Sequence, residues 1–178
     1  VLFNFYYSQK LLKKKTMVST AAALKAQFDL QTRLFSNALE GITDNESAHR
    51  DSDHVNHIKW IAGHLLNTRL DSFTRVTGGQ ADTSLGAQFG RGVPLDPSAS
   101  YPPIESIRSR WADSSAAISE GLAHIPEDIL AAPSPAQAPI ADDTVRGLIA
   151  FLVSHEAYHI GQLGLLRKMA GKEAMSYK

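Results

Sequence analysis

Four stretches of this chain repeat apolar residues at three- and four-residue intervals, and nothing between them alternates with the period of two that a half-buried strand requires. The stripes are Leu24, Phe28, Gln31, Phe35, Ala38 and Ile42; Ile58, Ile61 and Leu65; Ile104, Ile107, Trp111, Ser114, Ile118, Leu122 and Ile125; and Leu148, Leu152, His155, His159, Gln162, Leu166 and Met169. Each marks one face of a helix, and each face has to be buried against another element. A chain of 178 residues is long enough for one core and too short to expect two. The pattern therefore predicts an all-α protein built as a four-helix bundle.

Local signals bound the helices. Ser19 or Thr20 can cap the first, which Gly41 can end, and Asp53 can cap a second running to about Val76 before Gly78-Gly79. Pro102-Pro103 opens the third where a missing N–H does no harm, and Pro126 closes its stripe with room for one more turn. Asp142 or Asp143 can cap the fourth, which ends near Gly171. Residues 131–141 hold three prolines and cannot be helical. Residues 79–101, rich in Gly, Ser, Asp and Pro, read as a long surface connection. Such a link extends over ~70 Å, whereas a twenty-residue helix is ~30 Å long, so helices two and three can run parallel across a crossover. With short links elsewhere, the expected topology is up-down-down-up.

The first sixteen residues differ from the rest. They are aromatic and then basic, carry four of the eighteen Lys and Arg (Lys10, Lys13, Lys14 and Lys15) and have no acid. An apolar stretch before the charge is the reverse of a secretory signal. Residues 1–16 are expected to be an extension, non-native or an arm, with the bundle domain over 17–178. In that remainder eighteen acids exceed fourteen basic residues by four. This mildly acidic body gives no argument for a nucleic-acid partner. No run approaches the ~18 apolar residues that span a membrane, so no membrane partner is expected either. With no cysteine the sequence offers neither disulfide nor thiolate, and a metal would be held by nitrogen and oxygen. A cytoplasmic location fits that composition.

The fourth stripe is anomalous, because His155, His159 and Gln162 stand where leucine belongs. Imidazoles at i and i+4 share a helix face with Cβ atoms ~6 Å apart, so both can converge on one ion. A third ligand is needed. His49 lies in a polar loop, His124 beside Ile125-Pro126, and His54 at the mouth of the second helix. His64, in Trp60-Ile61-Ala62-Gly63-His64-Leu65-Leu66, is the one that burial makes costly. A lone histidine there reads as a core residue with one hydrogen bond; three mid-helix histidines on two seams read as a metal site. His57 is two turns from His64, ~10 Å along the axis, too far to share its ion. It is a helix-start residue or lines the entrance to the site.

The segments Asn56-His57-Ile58-Lys59-Trp60-Ile61-Ala62-Gly63-His64-Leu65 and His155-Glu156-Ala157-Tyr158-His159-Ile160-Gly161-Gln162-Leu163 resemble the DinB-like (DinB/YfiT) superfamily of bacterial proteins, and the likeness spans about residues 18–171. The resemblance implies a four-helix bundle with a crossover, holding a divalent metal through His64, His155 and His159. It also implies, more loosely, a thiol-dependent transferase or isomerase using a low-molecular-weight thiol, a small-molecule substrate, and a homodimer as in many relatives. Zinc, nickel, iron, manganese and cobalt all suit three imidazoles. Gln162, Tyr158, Glu156 and His57 are the remaining candidates to line the site or bind a cofactor. Positions ~100° apart on a helix cannot all face one cavity. Two other readings compete: a non-catalytic, metal-stabilised binding or stress protein, and a zinc metalloprotease, since His155-Glu156-Ala157-Tyr158-His159 satisfies H-E-x-x-H. The protease reading leaves His64 unexplained and offers no sheet edge for a peptide.

Overall fold

The computed structural model describes residues 18–50 and 52–177, so the expectation for residues 1–16 lies outside them. Its four long helices are α1 (Thr20–Leu39), α3 (Ile58–Thr68), α6 (Ile104–His124) and α8 (Val145–Met169). Shorter pieces are α2 (Asp44–Ala48), α4 (Thr74–Val76), α5 (Gly86–Phe89) and α7 (Glu127–Ala131). A π-turn over Arg69–Phe73 joins α3 to α4 without a break. No strand occurs among the described residues, only one bridge between Pro133 and Thr144. No described helix is long and apolar enough to cross a membrane.

Side-chain ties show how the helices run. Arg167 on α8 reaches the Ala38 carbonyl at the end of α1, and Asn37 donates to the Ser176 carbonyl at 2.6 Å, so α1 and α8 are parallel. Ser119 on α6 donates to Asp29 on α1 at 2.8 Å, while Arg108, near the start of α6, donates to the Ile42 carbonyl beyond the end of α1 at 2.8 Å. These two helices are antiparallel. Asp44 joins the starts of α3 and α6, pairing with Lys59 at 2.7 Å and accepting from the Ile104 N–H at 2.9 Å. Further along, Arg69 donates to Ser115, so α3 and α6 run together. The topology is up-down-down-up, with residues 77–103 as the crossover.

The starts of two helices moved, each because a side chain took up backbone groups. Ser19 caps α1 as expected, accepting from the Ala22 N–H at 3.2 Å, and Gly41 ends it as expected, turning away at φ +69° just past the Glu40 C-cap. α3 starts at Ile58 rather than near Asp53, because the Arg50 guanidinium holds the Asp53 and Val55 carbonyls outside the helix. The cap is His57, whose Nδ1 accepts from the Trp60 N–H at 2.9 Å. Thr144, not Asp142 or Asp143, caps α8; Asp142 acts one step behind, accepting from the Thr144 hydroxyl at 2.6 Å. Helix α2 was not anticipated, although Thr43-Asp44-Asn45-Glu46 carries the Thr/Glu spacing of a capping box, and both of its bonds form.

The interior has two apolar regions. One gathers Phe35, Leu65, Leu66, Trp111, Ile160 and Leu163; the other gathers Phe28, Phe73, Ile118, Leu122, Ile149 and Leu152. On α8 the deepest line runs Ile149, Glu156, Ile160, Leu163, with His155, His159 and Gln162 only half-buried. The core-facing stripe is thus rotated about one residue from the one read in the sequence. The histidines border the core instead of filling it.

Candidate metal centre

Helix α3 delivers His64 and helix α8 delivers His155 and His159 to one place. One ligand-capable ring nitrogen from each lies within 4.8 Å of the others, with His64 Nε2 and His155 Nε2 at 3.1 Å. Two of the three rings are anchored from behind. His64 Nδ1 meets the Phe89 carbonyl at 2.7 Å, and His159 Nδ1 meets Gln162 Oε1 at 2.7 Å. Both partners accept, so each Nδ1 carries the proton and each Nε2 presents a lone pair inward. His155 Nδ1 is buried with no hydrogen-bond partner.

Burial disfavours a proton on two of the three rings. Burial pushes His155 down to about 4, helped by the nearby His159 and His64 rings. Burial also lowers His159, against an upward pull from its hydrogen bond to Gln162. Inward-facing lone pairs repel one another unless a proton or a cation stands between them. The donor set therefore fits a divalent ion: three imidazole nitrogens, two of them with their tautomers preset, and no carboxylate among them.

The other candidates separate cleanly. Gln162 supports the site through His159, and its Nε2 donates to the Tyr158 hydroxyl at 3.2 Å. Tyr158 packs edge-on against the His159 ring and is 65% exposed. His57 is committed to capping α3 and to an edge contact with Tyr101; it does not line the centre. His54 and His49 are exposed in the loop before α3, and exposed His124 pairs with Glu120 at 2.9 Å.

Glu156 corrects the sequence reading most. It is 0% exposed, and both carboxylate oxygens are taken by Arg69, Oε1 by Nε at 2.7 Å and Oε2 by Nη2 at 2.8 Å. Arg69 is itself fully buried between the Phe28 and Trp111 rings, its Cζ lying 4.1 and 3.3 Å from their centroids, and its Nη1 donates to Thr32 and Ser115. Complete burial pushes the Glu156 carboxyl upward while the guanidinium opposes it. Doubly bonded and turned away from the histidines, Glu156 neither lines a cofactor site nor serves as the general base of an H-E-x-x-H protease.

Two contributors went unnoticed in the sequence. Arg69 carried a signal, a charge one turn past a strongly apolar helix. Phe89 carried none, because only the path of the crossover brings its carbonyl to His64. Against known proteins, the family model of the DinB superfamily matches residues 27–163, well over half of the chain, and the chain belongs to that superfamily. No curated protein matches the sequence.

Proposed function

We propose that this member of the DinB superfamily binds a divalent metal ion through Nε2 of His64, His155 and His159, and that the ion serves transfer of a low-molecular-weight thiol to a small electrophilic substrate. The observation that carries the reading is the convergence of three imidazole nitrogens, two of the rings with an acceptor holding the proton on the far side. A divalent ion held by His64, His155 and His159 would supply Lewis acidity that makes a water or thiol easier to deprotonate.

Around those histidines the chain's own groups have distinct tasks. Gln162 fixes the proton of His159 on Nδ1 and orients the Tyr158 hydroxyl. Tyr158 offers an O–H to a substrate arriving from solvent. Glu156 takes no part in proton transfer, because Arg69 holds both its oxygens. The sequence contains no cysteine, so the thiol would come as a cosubstrate. Zinc, nickel, iron and manganese all suit the donor set.

Metal analysis of the purified protein beside a His155→Ala/His159→Ala variant tests the first half of the reading. About one ion per chain in the parent and none in the variant is expected; equal content in both overturns it. A panel of small thiols with an electrophilic acceptor tests the second half. Metal-loaded protein that forms no conjugate with any of them would leave a metal-stabilised binding protein as the better reading.

A further inference from the structure

We propose that Phe89, seated on Gly63, is a positioning residue of the metal centre: it fixes the ring and tautomer of His64 from outside the ligand set and makes the crossover part of the site. The inference rests on the metal-binding reading above. Phe89 is fully buried, and its ring lies where a side chain at position 63 would be, since a Cβ placed on Gly63 would come 2.2 Å from the ring. The two positions are complementary: glycine in α3 opens the seat that phenylalanine from α5 fills.

That seat has a consequence one residue further along α3. The Phe89 carbonyl accepts a hydrogen bond from His64 Nδ1 at 2.7 Å. A carbonyl can only accept, so it selects the Nδ1–H tautomer and leaves Nε2 free for the ion. Trp60 lies parallel to the His64 ring, with centroids 5.3 Å apart and 5° between the planes. Tyr101 packs on the Phe89 ring at 5.3 Å, and its hydroxyl accepts from the Asp96 N–H, which ties the far part of the crossover to the same seat. His159 has a side-chain anchor in Gln162; His64 depends on a backbone atom, and Phe89 is what holds that atom in place.

The carbonyl cannot be removed by substitution, but it can be displaced. Gly63→Ala puts the better helix former into α3 while expelling the Phe89 ring, so helix stability and His64 anchoring move in opposite directions. Phe89→Ala empties the seat, and Phe89→Leu refills most of it. Three quantities are read: Zn2+ affinity by competition with a chromogenic chelator, the tautomer of each histidine in the metal-free protein from imidazole 15N shifts, and helix content by circular dichroism. Gly63→Ala and Phe89→Ala are expected to weaken Zn2+ binding about 10- to 100-fold with helix content retained. His64 should lose its single Nδ1–H tautomer while His159 keeps its own, and Phe89→Leu should recover most of the affinity. Parent-like affinity in both variants, or an unchanged His64 tautomer, overturns the proposal while leaving the metal reading intact. If the parent binds none of Zn2+, Ni2+, Fe2+ and Mn2+, the metal reading fails and this proposal falls with it. Should Phe89→Ala lose helix, Gly63→Ala decides.

Discussion

His155 and Glu156 are neighbours in sequence, but helix α8 turns them into different worlds. His155 faces two other imidazoles at the edge of the core, with one ring nitrogen lacking any partner. Glu156 is fully buried, and each of its carboxylate oxygens accepts a hydrogen bond from Arg69. A polar group in a dry interior is retained when it is fully satisfied, and an under-satisfied cluster marks a place where something else binds. The difference between these two residues sets a satisfied core pair beside an under-satisfied imidazole cluster on a single helical turn.

The comparison can be broken most directly at the Arg69–Glu156 pair. Glu156→Ala strands a guanidinium in the core and is expected to destabilise the metal-free protein by about 3–5 kcal/mol, read by urea denaturation. Arg69→Met/Glu156→Leu removes both charges and should regain most of that loss. A double variant as unstable as the single one would show that the pair contributes more than mutual neutralisation.

At the histidines the opposite balance is expected. His155→Ala/His159→Ala should change the metal-free stability far less than Glu156→Ala, yet remove all stabilisation by metal. In the parent that gain is about 2.7 kcal/mol when the free ion is a hundredfold above its Kd, seen as a raised Tm. A variant still stabilised by zinc would erase the contrast. Gln162→Leu keeps the bulk beside His159 but loses its acceptor, so Zn2+ affinity should fall about 10-fold, or ~1.4 kcal/mol, with the fold unchanged.

His57 sharpens the comparison from a third side, as a buried histidine with a purely structural role. Loss of its cap in His57→Ala is expected to cost about 1 kcal/mol, and His57→Asn, which can also cap, much less. Burial lowers its pKa in the folded protein below the ordinary 6.5. A group depressed on folding favours the native state above its unfolded pKa, and that contribution is lost as pH falls from ~6.5 through the folded value. Stability measured between pH 7 and pH 5 should therefore decline less steeply in His57→Asn than in the parent.

The architecture was largely legible in the sequence because it rests on periodicity. Apolar stripes such as Ile104, Ile107, Trp111 and Ile118 need a helix to share a face, and the long connection permitted two parallel neighbours. The juxtaposition of His64, His155 and His159 was legible for a related reason: three imidazoles at half-buried helix positions conflict with an apolar seam, and bringing them together resolves the conflict. The boundaries at His57 and Thr144 were not legible. Several nearby residues could cap, and the choice fell to contacts such as those of Arg50 and Asp142 that only the folded loops provide.

What the sequence determined by itself was therefore the helices, their crossover and the residue types able to hold an ion. Only the tertiary structure decided that α8 is rotated by about one residue, so that the histidines border the core and Glu156 enters it to meet Arg69. It also decided that a featureless connection brings the Phe89 carbonyl to His64. The physical reason is common to both. Periodicity specifies a helix face only to within a residue or so, and a backbone carbonyl is identical at every position, so neither outcome exists until packing between distant segments selects it.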